Sequence, residues 1–184
     1  MHVSRVLVLT SGGVDSTACI AFYKAHGHQP AALFVDYGQF AVREESSAVR
    51  RVATYYEIEL TAVQLRPALR TREDGYVPGR NALLLQLALS YAAFPAGIVA
   101  IGIHAGVSYP DSSAAVVQAA QLLYDVYTDG CIRVAAPFLT WSKGDVLTFC
   151  RAERLPTELT YSCERAAGPC GTCSSCRDRE RLTA

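Results

Sequence analysis

Three groups of residues have the types and spacing to do chemistry. The first is Ser11-Gly12-Gly13-Val14-Asp15-Ser16-Thr17, where an apolar run turns into a stretch of hydroxyls, glycines and one acid. The two glycines let the backbone take left-handed angles and let a ligand approach the amides without a Cβ in the way. Ser11, Ser16 and Thr17 add hydroxyl donors, and a helix starting here would present unpaired N–H groups and the positive end of its dipole. A phosphate chain is the guest that suits such a turn; the alternative is an ordinary strand-to-helix turn capped by Ser or Asp. With one glycine pair and no lysine, the pattern is neither G-x-G-x-x-G nor G-x-x-x-x-G-K-[ST].

The second group is Val77 to Asn81, "VPGRN". Pro78 and Gly79 stop what precedes, and Asn81 can cap the apolar helix that follows, which places Arg80 at that helix's positive end. An arginine gains nothing from the dipole there, so a bound phosphate or carboxylate explains it as well as a solvated loop does. The third group is Cys163, Cys170, Cys173 and Cys176, spaced C-x6-C-x2-C-x2-C among Gly168, Pro169 and Gly171. Four thiolates at this spacing close a tetrahedral Zn²⁺ site with no open position, so the metal is expected to be structural. An iron–sulfur cluster or a redox C-x-x-C pair are the alternatives.

Elements able to position these groups alternate along the chain. Strands are predicted at Arg5 to Thr10, Ala31 to Tyr37, Thr61 to Leu65, Gly97 to Ile103 and Arg133 to Phe138, several apolar throughout, as parallel strands covered on both faces should be. Helices are predicted at Asp15 to His26, Phe40 to Glu57, Asn81 to Phe94, Ser112 to Tyr127 and Ser142 to Arg154. The alternation implies right-handed crossovers and a doubly wound α/β fold with a parallel sheet of about five strands. Ligands of such sheets sit beyond the carboxyl ends of the strands, where the strand order reverses, and the loop after the first strand borders that crevice. The composition shifts near Pro156, so residues 1–155 are expected to form the α/β part that holds the glycine loop and 156–184 a small zinc knuckle appended to the same domain.

Composition narrows the partners. The 184 residues carry 17 basic and 17 acidic side chains, and the basic ones are scattered, so stable nucleic-acid binding is not expected. No signal core and no membrane-length apolar run is evident, and the clustering of four of the seven cysteines fits a metal site in a reducing, cytoplasmic compartment better than a disulfide scaffold.

Ser11 to Ser16 is similar to the S-G-G-x-D-S signature of the PP-loop ATP pyrophosphatases. That resemblance implies an adenine nucleotide alpha hydrolase-like fold and ATP cleaved between its α- and β-phosphates, a substrate oxygen taking the adenylate. Asp15 would then hold Mg²⁺ or order the loop, with helix capping as its plainer role. Across nearly the whole length, "SGGVDST", "FVDYGQ", "VPGRN", "YPD", Pro137, Lys143, "LPTELTYSC" and "GPCGTCSSC" together resemble the 7-cyano-7-deazaguanine synthase family of queuosine biosynthesis. The resemblance implies a homodimeric ligase that uses ATP, Mg²⁺ and a structural Zn²⁺ to join 7-carboxy-7-deazaguanine to ammonia, through an amide to the nitrile.

Carried over by position, Ser11, Gly12, Gly13, Asp15, Ser16 and Thr17 would cradle pyrophosphate, and Phe34, Asp36, Tyr37 and Gln39 would border adenosine. Arg80 and Asn81 would meet phosphate or carboxylate, Tyr109, Pro110 and Asp111 the deazaguanine, and Lys143 the α-phosphate charge. Asp111 is the candidate partner of the base's N–H edge. The chain departs from the family pattern with "HAGVS" before "YPD", with Ser112 and Ser113 after it, and with a short segment from Gln64 to Gly75. These departures fall on the acceptor side, where His104 is either a general base for the amine or a packed strand-end histidine. They support ATP use more than ammonia as nucleophile or the nitrile as end product, so activation of the acid is expected to be retained and the second dehydration to be the step open to loss. Three further readings are a relative that attaches the activated base to an amine of a protein or nucleic acid, a non-catalytic ATP-binding module, and, weakly, a tRNA thiolase.

Overall fold

Side chains of the first strand, Arg5–Leu9 (β1), alternate between two cores. Val6 and Val8 pack on one face of the sheet, Leu7 and Leu9 on the other, which is the period-two pattern of a strand covered on both sides. The computed structural model describes residues 3–72, 76–107, 109–163 and 168–183. After β1 come helix Val14–Ala25 (α1), strand Gln29–Asp36 (β2), helix Val42–Tyr56 (α2) and strand Leu60–Gln64 (β3). Helix Arg80–Tyr91 (α3), strand Gly97–Ile101 (β4), helix Ala114–Thr128 (α4), strand Ile132–Ala135 (β5) and helix Lys143–Ala152 (α5) follow. A last helix, Ser174–Thr183 (α6), closes the described chain.

All neighbouring strands are parallel, in the order β3-β2-β1-β4-β5, with Leu9 in register with Leu33 on one side and Ile101 on the other. The chain winds outward from β1 to β3 and then crosses to β4, so the order reverses between β1 and β4. Their carboxyl ends therefore flank the crevice in which such sheets take ligands. Helices α1, α2 and α5 cover one face and α3 and α4 the other. Tyr124, fully buried on α4, donates its hydroxyl to the Leu85 carbonyl of α3 and so locks those two helices together.

The predicted fold class is therefore the observed one, with shifted boundaries. β2 begins at Gln29 rather than Ala31, because the Gln29 amide donates to Ser4 and Pro30 sits in register with Val6 where a missing donor is tolerated. β5 stops at Ala135, since residues 136–141 fold into turns with Leu139 N donating to Ala136 O and Trp141 N to Phe138 O. Helix α6 was not expected: its polar sequence carries no apolar period, and its start at the cysteine knuckle is seen in the bond from Arg177 N to Cys173 O. Among the described residues no helix is long and apolar enough to cross a membrane.

Candidate nucleotide site and cysteine cluster

The loop after β1 is shaped by contact with α2. Gly12 has φ of 74°, and a Cβ there would lie 2.8 Å from both Ala48 Cβ and Val49 N, so only glycine lets the turn seat against that helix. Gly102, at the end of β4, plays the same part on the other side, since a Cβ there would come within 2.7 Å of the Asp15 carbonyl. Ser16 ties the turn together: its Oγ accepts from Ser11 N and Thr10 Oγ1, and donates to Gly13 O at 3.1 Å. At Gly13 the space a Cβ would take is ringed at 3.4–3.6 Å by Ser11 Oγ, Tyr161 O and Ser162 Oγ, a polar cradle left open at the mouth of α1.

Above the loop lies a cavity of about 280 Å³. Ser11, Gly13, Asp15 and Ser16 line its floor, Phe34, Tyr37 and Gln39 the β2 side, and Arg80 and Asn81 the α3 side. Asp15 is held by both carboxylate oxygens on Lys143 Nζ, at 2.6 and 2.8 Å, and His104 Nε2 lies 3.9 Å from it. Gln39 is fully committed: its carboxamide accepts from Tyr37 N and donates to Val35 O and to Glu45 Oε2 at 2.7 Å. Burial pushes the Glu45 carboxyl up to about 7, with Arg80 and Gln39 opposing the rise. Burial also raises the Tyr37 phenol, against the pull of the same arginine. Arg80 is thus a cation in the cavity wall, close enough to steady Glu45 and Tyr37 and to meet an anion.

Several residues expected at the site do other work. Gly12 and Thr17 lie beneath the loop: the Thr17 hydroxyl is wholly buried without a partner, and neither residue lines the cavity. Asp36 turns away to Arg66, whose hydrogen bond, with those of Gln64 and Gly38, holds its carboxyl down to about 2. Asn81 is not the cap of α3. It sits in the first turn, where its amide donates to Asp111 Oδ2 and its side chain donates to Asp111 O and Ser112 Oγ. Asp111 is the acceptor that satisfies the helix end, 4% exposed, its Oδ1 buried without a partner, and it is not part of the cavity lining. Tyr109 stacks on Tyr76 with ring centroids 5.1 Å apart, and Pro110 is exposed beside it. His104 turns Nδ1 to the Ala105 carbonyl at 2.7 Å, and Lys143 lines a smaller cleft behind Asp15. Of the segment from Gln64 to Gly75, residues 73–75 lie outside the described residues.

The site also gathers residues that local reading passed over: Glu45 on α2, and Tyr161, Ser162 and Ser175 from the tail. Nothing in the sequence around Glu45 distinguishes it from a solvated helix acid. The tail serines stand beside metal-ligand cysteines, which was the available signal. Tyr161 N donates to Gly12 O at 2.9 Å and Val14 N donates to Ser162 Oγ at 3.2 Å, so the tail roofs the loop directly.

Next to this roof the Sγ atoms of Cys163, Cys170, Cys173 and Cys176 all lie within 4.8 Å of one another, with Cys170 and Cys176 at 3.9 Å. Zn–S bonds of about 2.3 Å in a tetrahedron put sulfurs roughly 3.8 Å apart, so the four residues fit a single metal ion. Amides of Cys173 and Cys176 donate to the sulfurs of Cys170 and Cys173. Hydrogen bonds from Thr172 pull the Cys170 thiol down, to about 5, while desolvation raises Cys176 to about 12. Cys19 and Cys150 are buried in the core, where desolvation keeps both as thiols, Cys150 at about 12.

A parallel five-stranded sheet with a glycine and hydroxyl loop at its switch point, and a four-cysteine cluster beside it, defines a PP-loop type α/β protein. The same fold occurs in the U34-tRNA thiolase NcsA of Methanococcus maripaludis, solved with its [4Fe-4S] cluster (TM-score 0.56, 16% identity, 100% of this chain and 65% of that one). It occurs as well in the NH3-dependent NAD synthetase of Campylobacter jejuni (TM-score 0.54, 16% identity, 85% of this chain and 66% of that one). The chain belongs to the family described as Queuosine biosynthesis protein QueC, which it matches over residues 5–73 and 66–183. A curated relative from Desulfitobacterium hafniense, named 7-cyano-7-deazaguanine synthase, is 34% identical over 95% of this chain and 86% of its own.

Proposed function

We propose that the chain is an ATP-dependent carbon–nitrogen ligase that adenylates 7-carboxy-7-deazaguanine and joins it to ammonia. The observation that carries this reading is the cavity over Ser11 to Ser16, where a helix mouth, hydroxyls and Arg80 converge on one space. A carboxylate oxygen of the acid attacks the α-phosphate, and the bond to the pyrophosphate oxygen breaks. Ammonia then attacks the acyl carbon, AMP leaves with the carboxylate oxygen, and the amide remains. A second ATP adenylates the amide oxygen, which departs as AMP when the nitrile forms.

In this scheme Ser11, Gly13 and Ser16 hold the pyrophosphate, and Gly12 and Thr17 support the turn from below. Phe34, Tyr37 and Gln39 border adenosine, and Arg80, its Nε donating to Asn81 Oδ1, grips phosphate or the acid's carboxylate. Asp15, whose carboxylate is oriented by Lys143, would be the residue to hold a Mg²⁺ brought with ATP, and such an ion would supply charge neutralisation at the phosphates. His104, its Nε2 3.9 Å from Asp15, is the residue that would take the proton that ammonia sheds. Tyr109 and Pro110, which the family resemblance assigns to the base, stand outside the cavity lining, Tyr109 stacked on Tyr76. The four cysteines hold Zn²⁺, closed to chemistry and structural in purpose.

Homodimerisation is part of the same reading. Leu122, Val126 and Tyr127 on the outer face of α4 are 70%, 74% and 68% exposed, an apolar surface that a second copy would cover. Sedimentation should give twice the chain mass, and Leu122→Lys with Val126→Lys should return the monomer.

Incubation of the purified protein with the acid, Mg-ATP and ammonium tests the chemistry. AMP, pyrophosphate and the nitrile are expected by chromatography and mass spectrometry. No AMP in metal-loaded protein sinks the proposal, and an adduct on a protein or nucleic-acid amine replaces ammonia with another acceptor.

A further inference from the structure

Two serines reach the nucleotide cavity from within the metal-binding tail. Ser162 immediately precedes Cys163, and Ser175 lies between Cys173 and Cys176, so both are placed by the residues that would grip the ion. Both line the cavity over the loop. Ser162 Oγ accepts the first amide of α1, from Val14 at 3.2 Å, which leaves its own hydrogen to donate into that cavity. Tyr161, one residue back, fixes the Gly12 carbonyl at 2.9 Å. Two further threads tie α6 to the same place. Arg179 donates to Thr160 O at 2.6 Å, and Lys143, the partner of Asp15, has Asp178 Oδ2 at 4.0 Å.

We propose that Ser162 and Ser175 are phosphate-positioning residues delivered to the loop by the cysteine cluster, so that metal occupancy and nucleotide binding are coupled; this rests on the ATP reading above. The physical reason is that residues 160–163 and 170–173 are irregular segments with little apolar surface of their own, and Ser175 sits in the first turn of α6 that they introduce. Without an ion joining four sulfurs, their backbone has to be ordered when the phosphate binds, and that ordering is subtracted from affinity. With the ion in place the two hydroxyls are already oriented. Linkage makes the effect reciprocal: whatever factor the metal adds to nucleotide affinity, the nucleotide adds to metal affinity.

The test uses the full-length, zinc-loaded protein and three probes: Mg-ATP, Mg-pyrophosphate and adenosine. Calorimetry with Ser162→Ala and Ser175→Ala should show pyrophosphate and ATP binding weakened about tenfold in each, a coupling of ordinary size. Adenosine binding should stay unchanged, and metal analysis should still find the ion bound. Ser162→Thr, which keeps the hydroxyl, should restore phosphate binding. The second readout is the rate at which a chromogenic chelator strips the zinc. Mg-ATP should slow it about tenfold or more in the parent, less in Ser162→Ala, and not at all when both serines are alanine. Alanine variants that bind pyrophosphate like the parent, or a stripping rate that ATP does not change in the parent, would overturn the coupling. A parent that binds neither ATP nor pyrophosphate brings down the ATP reading itself.

Discussion

The loop after β1 and the cysteine tail meet at Tyr161 and Ser162, yet they are ordered by different physics. The loop is set by excluded volume: Gly12 presses its turn on α2, Gly102 lets β4 approach α1, and Ser16 staples the backbone. Its shape therefore exists before any ligand arrives. Among the described residues beyond 160 the tail buries Cys163 and Cys176 and little else, so an ion bound there would supply what a core supplies elsewhere. Pre-organisation by packing and pre-organisation by coordination stand side by side on one cavity, joined where Tyr161 N meets Gly12 O and Val14 N meets Ser162 Oγ.

Removing the ion should have the largest effect. Zinc sites of this type supply on the order of 10 kcal/mol of local folding energy, so chelation or Cys173→Ser should expose Arg177, Arg179 and Arg181 to trypsin. The sheet should meanwhile keep its far-ultraviolet signal. A tail that stays protected after metal removal breaks the contrast. Next in size is Gly12→Ala, which combines a positive φ with close contact to α2 and should cost about 2–4 kcal/mol in urea unfolding. Gly13→Ala, whose Cβ meets only ordinary contacts, should cost less than about 1 kcal/mol while filling the phosphate cradle and weakening Mg-ATP. Equal losses in the two variants would mean that packing on α2 does not shape the loop.

Lys143→Ala should cost about 1 kcal/mol, because the ion pair with Asp15 is only partly shielded, at 21% and 30% side-chain exposure. Nucleotide affinity in this variant should change more than stability. The smallest effect is one of pH. Glu45 binds its proton more tightly in the folded protein, up to about 7, than in the unfolded chain. The native state thus holds the extra proton between the unfolded value and about 7, and stability falls as pH rises through that window. Glu45→Gln, which still accepts from Gln39, should flatten this decline and gain up to about 1 kcal/mol at pH 8. An unchanged pH profile would place the Glu45 carboxyl in water.

Much of this was legible in the residues. The alternation of apolar strands with helices predicted the sheet, because each strand has to bury two faces and each helix one. Ser11 to Thr17 and the four cysteines were readable because their ligands are collinear in the chain: one turn, or one short run, makes most of the site. The roles of Asn81 and Asp111 were not readable. Thirty residues separate them, and only the packing of the turn at Pro110–Ser112 on α3 decides that the aspartate caps the helix instead of facing a base. Asp36 likewise finds Arg66 across the parallel pair of β2 and β3, a partner that no local spacing announces.

By itself, then, the order of residues determined the α/β class, the loop at the first strand's end and the four-sulfur cluster, since each depends on interactions a few residues apart. Tertiary structure alone decided which hydroxyls roof the loop, that Lys143 answers Asp15, and that Glu45 faces the cavity. Those choices join elements up to about 150 residues apart, as from Val14 to Ser162, and they follow from how two cores press helices onto one twisted sheet.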